Sequence, residues 1–256
     1  MTTTASNNWM ERLKAAGIHL CISLGVAALA AAIVFGIWYP YPYRDVSGGR
    51  ELFFLLITVD VILGPLITFS IFNRKKPWTE LRRDLAIVGL LQLSALGYGM
   101  WTVFVARPVH LVFEIDRFRV IHAIDVPEVL LHKTPPGIDP LPLSGPTLLA
   151  VRPFKDSNES METTLAALQG TSLGSRPDLW QAYPESKDRI LQVAKPLSQL
   201  KTKPAFAPIV DAELQKIGRS ADGLIYLPLV ARKTFWTVVL DAKTADVVAF
   251  LPLDSF

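Results

Sequence analysis

Cysteine is nearly absent from this chain. Cys21 stands alone, so no intrachain disulfide is possible, and so small a count gives no firm indication of redox compartment. Other local signatures of common catalytic sites are missing too: there is no phosphate loop, no His-Glu-x-x-His and no nucleotide fingerprint. Their absence disfavours an enzyme, and no catalytic, cofactor-binding or metal-binding residue is assigned. A net charge of +3 does not make a nucleic-acid footprint either. The basic residues gather in short segments beside apolar runs, where membrane orientation accounts for them better.

Charge is scarce within three stretches of the first 106 residues. A hydrocarbon core of about 30 Å needs roughly 20 apolar helical residues at about 1.5 Å each. The runs from about Ile18 to Trp38, Leu52 to Phe72 and Leu85 to Ala106 meet that requirement. The first has a competing reading as a cleaved signal peptide, with Arg12 and Lys14 ahead of it and an Ala-x-Ala choice in "ALAAA". Its apolar residues continue to Trp38, past the roughly 7–15 residues of a signal core, which favours a retained anchor.

Cytoplasmic loops carry excess Lys and Arg. The segment "NRKKPWTELRRD" holds Arg74, Lys75, Lys76, Arg82 and Arg83, whereas "YPYPYRDVSGGRE" balances Arg44 and Arg50 with Asp45 and Glu51. The second loop and the N-terminus are therefore expected in the cytoplasm, and everything after Ala106 on the opposite side. Trp38, Tyr39, Tyr41, Tyr43 and Trp101 on the outer side, with Trp9 and Trp78 on the inner, read as interfacial belts.

Within the spans, Gly17, Cys21, Gly25, Ala28, Ala32 and Gly36 recur at helical steps of three or four. Such a small-residue face packs the spans together or receives a foreign helix. Asp60 is the sharper feature, because an ionised carboxylate at mid-span costs about 2.5–3.5 kcal/mol. In "DVILGPLITF" it shares a helical face with Gly64 and Thr68, and Pro65 leaves the Val61 carbonyl without its helical donor. Two readings stand for this face. Asp60 is tied internally, with Tyr98 at matching depth on the third span as donor, or it awaits a polar group of another membrane helix. Proton or ion transport is weaker, since His19 lies near the cytoplasmic edge and no second acid of comparable placement exists.

From Val109 the apolar pattern changes to period two. "HLVFEID" and "RVIHAIDV" read as a hairpin, "TLLAVRP" as a further strand, and "GLIYLPLVAR", "KTFWTVVLDA" and "DVVAFLPL" as an antiparallel meander. Helices are expected in "NESMETTLAALQG", with Ser157 or Asn158 as cap, in "SKDRILQVAKPLSQL", interrupted by Pro196, and in "PIVDAELQKIG". The expected architecture is a membrane domain over 1–106 and an α+β domain with an antiparallel sheet over 107–256. His110, Glu114 and His122 are a conceivable zinc set, which exposed strand polarity explains as well.

Three N-terminal spans, the stretch "DVILGPLITFSIFNRKK" and an outer domain ending in "GLIYLPLVARKTFWTVVLDAKTADVV" together resemble the type IV pilin accessory proteins of the TfpX/TfpZ type, over nearly the whole chain. The resemblance implies a non-enzymatic factor in a bacterial inner membrane, with a periplasmic domain, that assists assembly or surface display of a cognate major pilin. The implied partners are the membrane, that pilin and other pilus assembly components. The competing class is a membrane-anchored sensor or ligand-binding subunit with an extracytoplasmic domain.

Overall fold

The computed structural model describes residues 3–73 and 75–256, and side chains from residue 9 onward. Arg74 lies outside the described residues. The chain forms two compact units: one uses the chain up to Ile37 together with Gly49–Val105, and the other joins Trp38–Gly48 to Ala106–Phe256.

The first unit is three helices. Helix α1 (Thr3–Ile33) continues as a π turn at Val34–Trp38; α2 covers Gly49–Ile71 and α3 Trp78–Val105. Each is long and apolar enough to cross a membrane. Helix α3 starts ahead of the apolar run because its polar first turns are helical as well, with Lys76 pairing with Glu80 at 3.5 Å and with Asp84 at 2.7 Å. Helix α2 is central: α1 packs on its second half and α3 runs beside it. It is interrupted by a π turn at Val59–Leu63, immediately before Gly64 and Pro65. The cause is local. Pro65 has no N–H and its ring crowds the preceding turn, so widening the helix by one residue removes the clash.

The second unit is built on a mixed eight-stranded sheet. Its strands are β1 (Pro108–Phe113), β2 (Phe118–His122), β3 (Thr147–Val151), β4 (Trp180–Ala182), β5 (Lys195–Pro196), β6 (Leu224–Val230), β7 (Phe235–Asp241) and β8 (Val247–Leu251). The order is β4-β3-β1-β2-β6-β7-β8, with β5 on the edge of β6. The expected hairpin forms, Phe113 facing Phe118, and so does the closing meander. The expected purely antiparallel sheet is corrected: β1 pairs with β3 in parallel, and so does β2 with β6. Both parallel pairs join strands distant in sequence, which no turn residue announces.

Both faces of the sheet are covered. Alternate residues Leu111, Phe113, Phe118, Val120, Leu227, Leu229, Val238 and Leu240 pack with Tyr183 and with Ile190 of α5 (Lys187–Val193). Tyr43 and Val46 join them, brought by the Trp38–Gly48 segment. On the opposite parity, α6 (Ala207–Ile217) places Val210 and Leu214 against Tyr226, Val239 and Leu251, while Val109, Val112, Ile121, Leu149 and Trp180 meet Leu131 and Ile138 of the proline-rich connection. Helix α4 (Ser157–Leu168) is capped by Asp156, one residue before the expected cap, whose side chain accepts from the Glu159 N–H at 2.8 Å.

The Trp38–Gly48 segment corrects the belt reading. Tyr39 is fully buried and Tyr43 nearly so, with the Tyr43 ring edge-on to Phe250 at 6.1 Å; only Tyr41 is exposed. Burial pushes both the Tyr39 and Tyr43 hydroxyls well above the ordinary tyrosine range. These aromatics are part of a folded core, and the segment works as a strap. It ends at Gly48, whose φ of +77° suits glycine and where a Cβ would meet the Lys233 side chain at 2.9 Å.

Candidate functional site

The polar residues of the three-helix unit converge on the π turn of α2. Asp60, Gly64 and Thr68 are buried there, as their shared helical face predicts, and Pro65 is half-buried beside them. From α1, the His19 Nδ1 meets the Thr68 hydroxyl at 2.6 Å. From α3, the Gln92 side-chain amide donates to the Asp60 carbonyl at 3.4 Å. Gly64 is what allows this approach: a Cβ there would collide with the Gln92 amide and lie 3.1 Å from the His19 Nε2. The carboxyl group itself is less well served. Asp60 is 8% exposed, and its Oδ1 is buried without a hydrogen-bond partner.

Tyr98 is 75% exposed, and among the described residues no hydrogen bond joins it to Asp60. It instead shares with Asp60 the wall of a cavity of about 230 Å³ between α2 and α3, together with Leu56, Val59, Gly99 and Thr102. His19 and Gln92 reach this face through the Thr68 hydroxyl and the Asp60 backbone carbonyl, and neither supplies the carboxyl donor expected of Tyr98. Spacing could have signalled this: His19, Ser23, Ala30 and Val34 define the side of α1 turned toward α2. The expected small-residue face lies elsewhere. Gly17, Cys21, Gly25, Ala28, Ala32 and Gly36 are all exposed, and a Cβ on any of its three glycines would meet nothing within 4 Å. That face does not pack the helices of this unit together.

The conceivable zinc set is not assembled. His110 is fully buried, with Nδ1 2.6 Å from the Thr147 hydroxyl and Nε2 3.1 Å from the Pro140 carbonyl. Burial lowers its pKa to about 4. The Nε2–H donates to Pro140, so Nδ1 accepts from Thr147. Glu114 accepts from the Arg119 Nε at 2.8 Å and from the Gly174 N–H at 2.9 Å. His122 is held by Asp125, at 3.1 Å. Among the described residues no group of three metal-ligating side chains stands together.

A fimbrial assembly protein of Dichelobacter nodosus, serogroup I, is 39% identical to this chain over 246 residues, 95% of each protein. The serogroup E1 protein of the same organism is 37% identical over the same shares, and that of serogroups C1 and C2 is 44% identical over 113 residues, covering 44% of this chain and 86% of that protein. The chain belongs to the fimbrial assembly protein family. The family model described as fimbrial assembly protein FimB matches residues 7–48, and no solved structure matches. The resemblance to type IV pilus accessory proteins is thus borne out at family level. In this member of the family, residues 7–48 hold His19, the outward small-residue line and the strap that completes the sheet domain.

Proposed function

We propose that this protein is a non-enzymatic inner-membrane accessory factor of type IV pilus biogenesis, assisting assembly or display of a cognate pilin through contacts inside the membrane and beside it. The near full-length relationship to proteins named for fimbrial assembly carries the reading. In this reading the N-terminus and the loop bearing Lys75, Lys76, Arg82 and Arg83, with Arg74 adding to its charge, lie in the cytoplasm, because basic residues favour that side, and the sheet domain lies in the periplasm. The strap supports this arrangement: the loop joining α1 and α2 belongs to the same compact unit as the chain after Ala106, so both lie on one side.

The proposed intramembrane face is Asp60, Gly64, Pro65 and Thr68, entered at Asp60 through the cavity it shares with Tyr98. A buried carboxyl oxygen without a partner is costly in an apolar setting, and a helix bringing an N–H or O–H donor would satisfy it. The exposed small-residue line of α1 leaves a second surface on which a helix can approach closely.

Photo-crosslinking residues placed at Tyr98 and Gly25 in a piliated strain test this reading. The expected product is an adduct with the major pilin from at least one position, lost in Asp60→Leu for the Tyr98 probe. A piliated strain that yields no pilin adduct from either position refutes it.

A further inference from the structure

We propose that the crevice at the carboxyl ends of β2 and β6 binds a small organic anion of carboxylate or phosphate type, held by the guanidinium groups of Arg119 and Arg232. Strands β2 and β6 are parallel neighbours, and the crevice beyond the carboxyl ends of such strands is where open sheets commonly take ligands. Their ladder has only two pairs, Phe118 with Leu229 and Arg119 with Val230. On that side of β6 the other end of the strand is occupied by β5, so β2 and β6 part after Arg119. The gap is a cavity of about 400 Å³, walled by the ends of both strands and by Gly170, Thr171, Ser172 and Ser175 beyond α4. That volume lies in the range of small-molecule sites.

The wall is donor-rich, because its acid is already committed. The Asp125 Oδ1 accepts from the Arg232 Nη2 at 2.8 Å, and its Oδ2 accepts from the His122 backbone N–H at 3.2 Å and lies 3.1 Å from the His122 Nδ1. Glu114, outside the cavity wall, fixes Arg119 through Nε. Each guanidinium carries five N–H donors, and among the described residues each of these two spends one on another side chain. Both remain part-exposed, with side chains 30% and 40% accessible. Burial also lowers the His122 pKa, so the ring adds no charge; each arginine is half of an ion pair, Arg119 with Glu114 and Arg232 with Asp125, and what each offers a ligand is its remaining N–H donors. Planar guanidinium forks match carboxylate and phosphate oxygens in pairs.

Isothermal titration of the full chain in lipid nanodiscs with citrate, glucuronate and inorganic phosphate, against sodium chloride of equal ionic strength, tests the site. Saturable binding of at least one anion is expected, weakened at least tenfold by Arg119→Gln and by Arg232→Gln, and unchanged by Arg117→Gln, outside the cavity wall. Thr171→Trp fills the cavity without changing charge and is expected to abolish binding in a folded protein. Failure of all three anions to saturate, or equal binding by wild type and these cavity variants, overturns the proposal.

Discussion

Replacing Tyr43 by Ala tests whether the strap between the first two helices is part of the sheet domain's core. Tyr43 is 8% exposed, belongs to the same buried cluster as Val46, Phe118 and Leu229, and meets Phe250 edge-on. Truncating a buried aromatic side chain costs about 3–5 kcal/mol from lost burial and the cavity left behind. For a domain of this size each kcal/mol moves the melting temperature by about 2–4 °C, so a loss on the order of 10 °C is expected. Tyr41 is the control two residues away: it is 48% exposed, and its ring face meets Arg44 at 5.7 Å and Lys216 at 5.3 Å, contacts of about 0.5–1 kcal/mol each at exposed sites. Tyr41→Ala should therefore cost about 2–8 °C, at the low end if the two contacts are screened by water. The assay is resistance of the sheet domain to a protease added across a temperature series, with the full chain held in detergent. If Tyr43→Ala and Tyr41→Ala lower the transition equally, or if neither does, the strap is not core and the argument fails.

Acid should weaken the same domain through His110. An unfolded histidine takes a proton near pH 6.5, whereas buried His110 does so only near pH 4; between those values the unfolded state binds more protons, so stability falls as pH falls. The expected loss between pH 7 and pH 5 is about 2 kcal/mol, read as a lower urea midpoint, and His110→Gln should flatten that slope. His122, with a pKa lowered by burial, adds a change of the same sign. Gly64→Leu and Gly25→Leu should separate fold from association: the first drives a side chain into Gln92 and His19 and should lower the yield of folded chain in detergent, whereas the second meets open space and should leave that yield unchanged while reducing surface pili. Reduced yield from both, or from neither, would contradict the packing described for α1 and α2.

The three long helices, the Phe113–Phe118 hairpin, α4, α6 and the closing meander were legible because each depends on residues close in sequence: apolar length, a cap, or a short turn. The π turn was half legible, since Pro65 announces a break and not the way the helix accommodates it. What local pattern does not carry is pairing at a distance. The parallel partners of β1 and β2, and the crevice that follows from the second of them, are set by how the whole sheet closes. Tyr39 and Tyr43 carry the composition of an interfacial belt, and composition alone does not distinguish a ring lying in a bilayer surface from one inserted in a domain core. The small-residue line of α1 was visible as a line, but its direction depends on where His19 and Ser23 point. Asp60 was conspicuous in the sequence because an acid is expensive there; that its neighbours are Gln92 and His19 follows only from the rotation of the flanking helices.

The strap also imposes an order on biogenesis. As synthesis proceeds from the N-terminus, Tyr43 and Val46 are made before the second helix, yet the strands they pack with are made after the third, Phe250 of β8 later still. Until then these side chains stand uncovered, and the nascent protein has a waiting period in which quality-control proteases can act. A chain halted after its third helix would keep that signal displayed, so completion of the sheet domain is at the same time concealment of a mark of incompleteness.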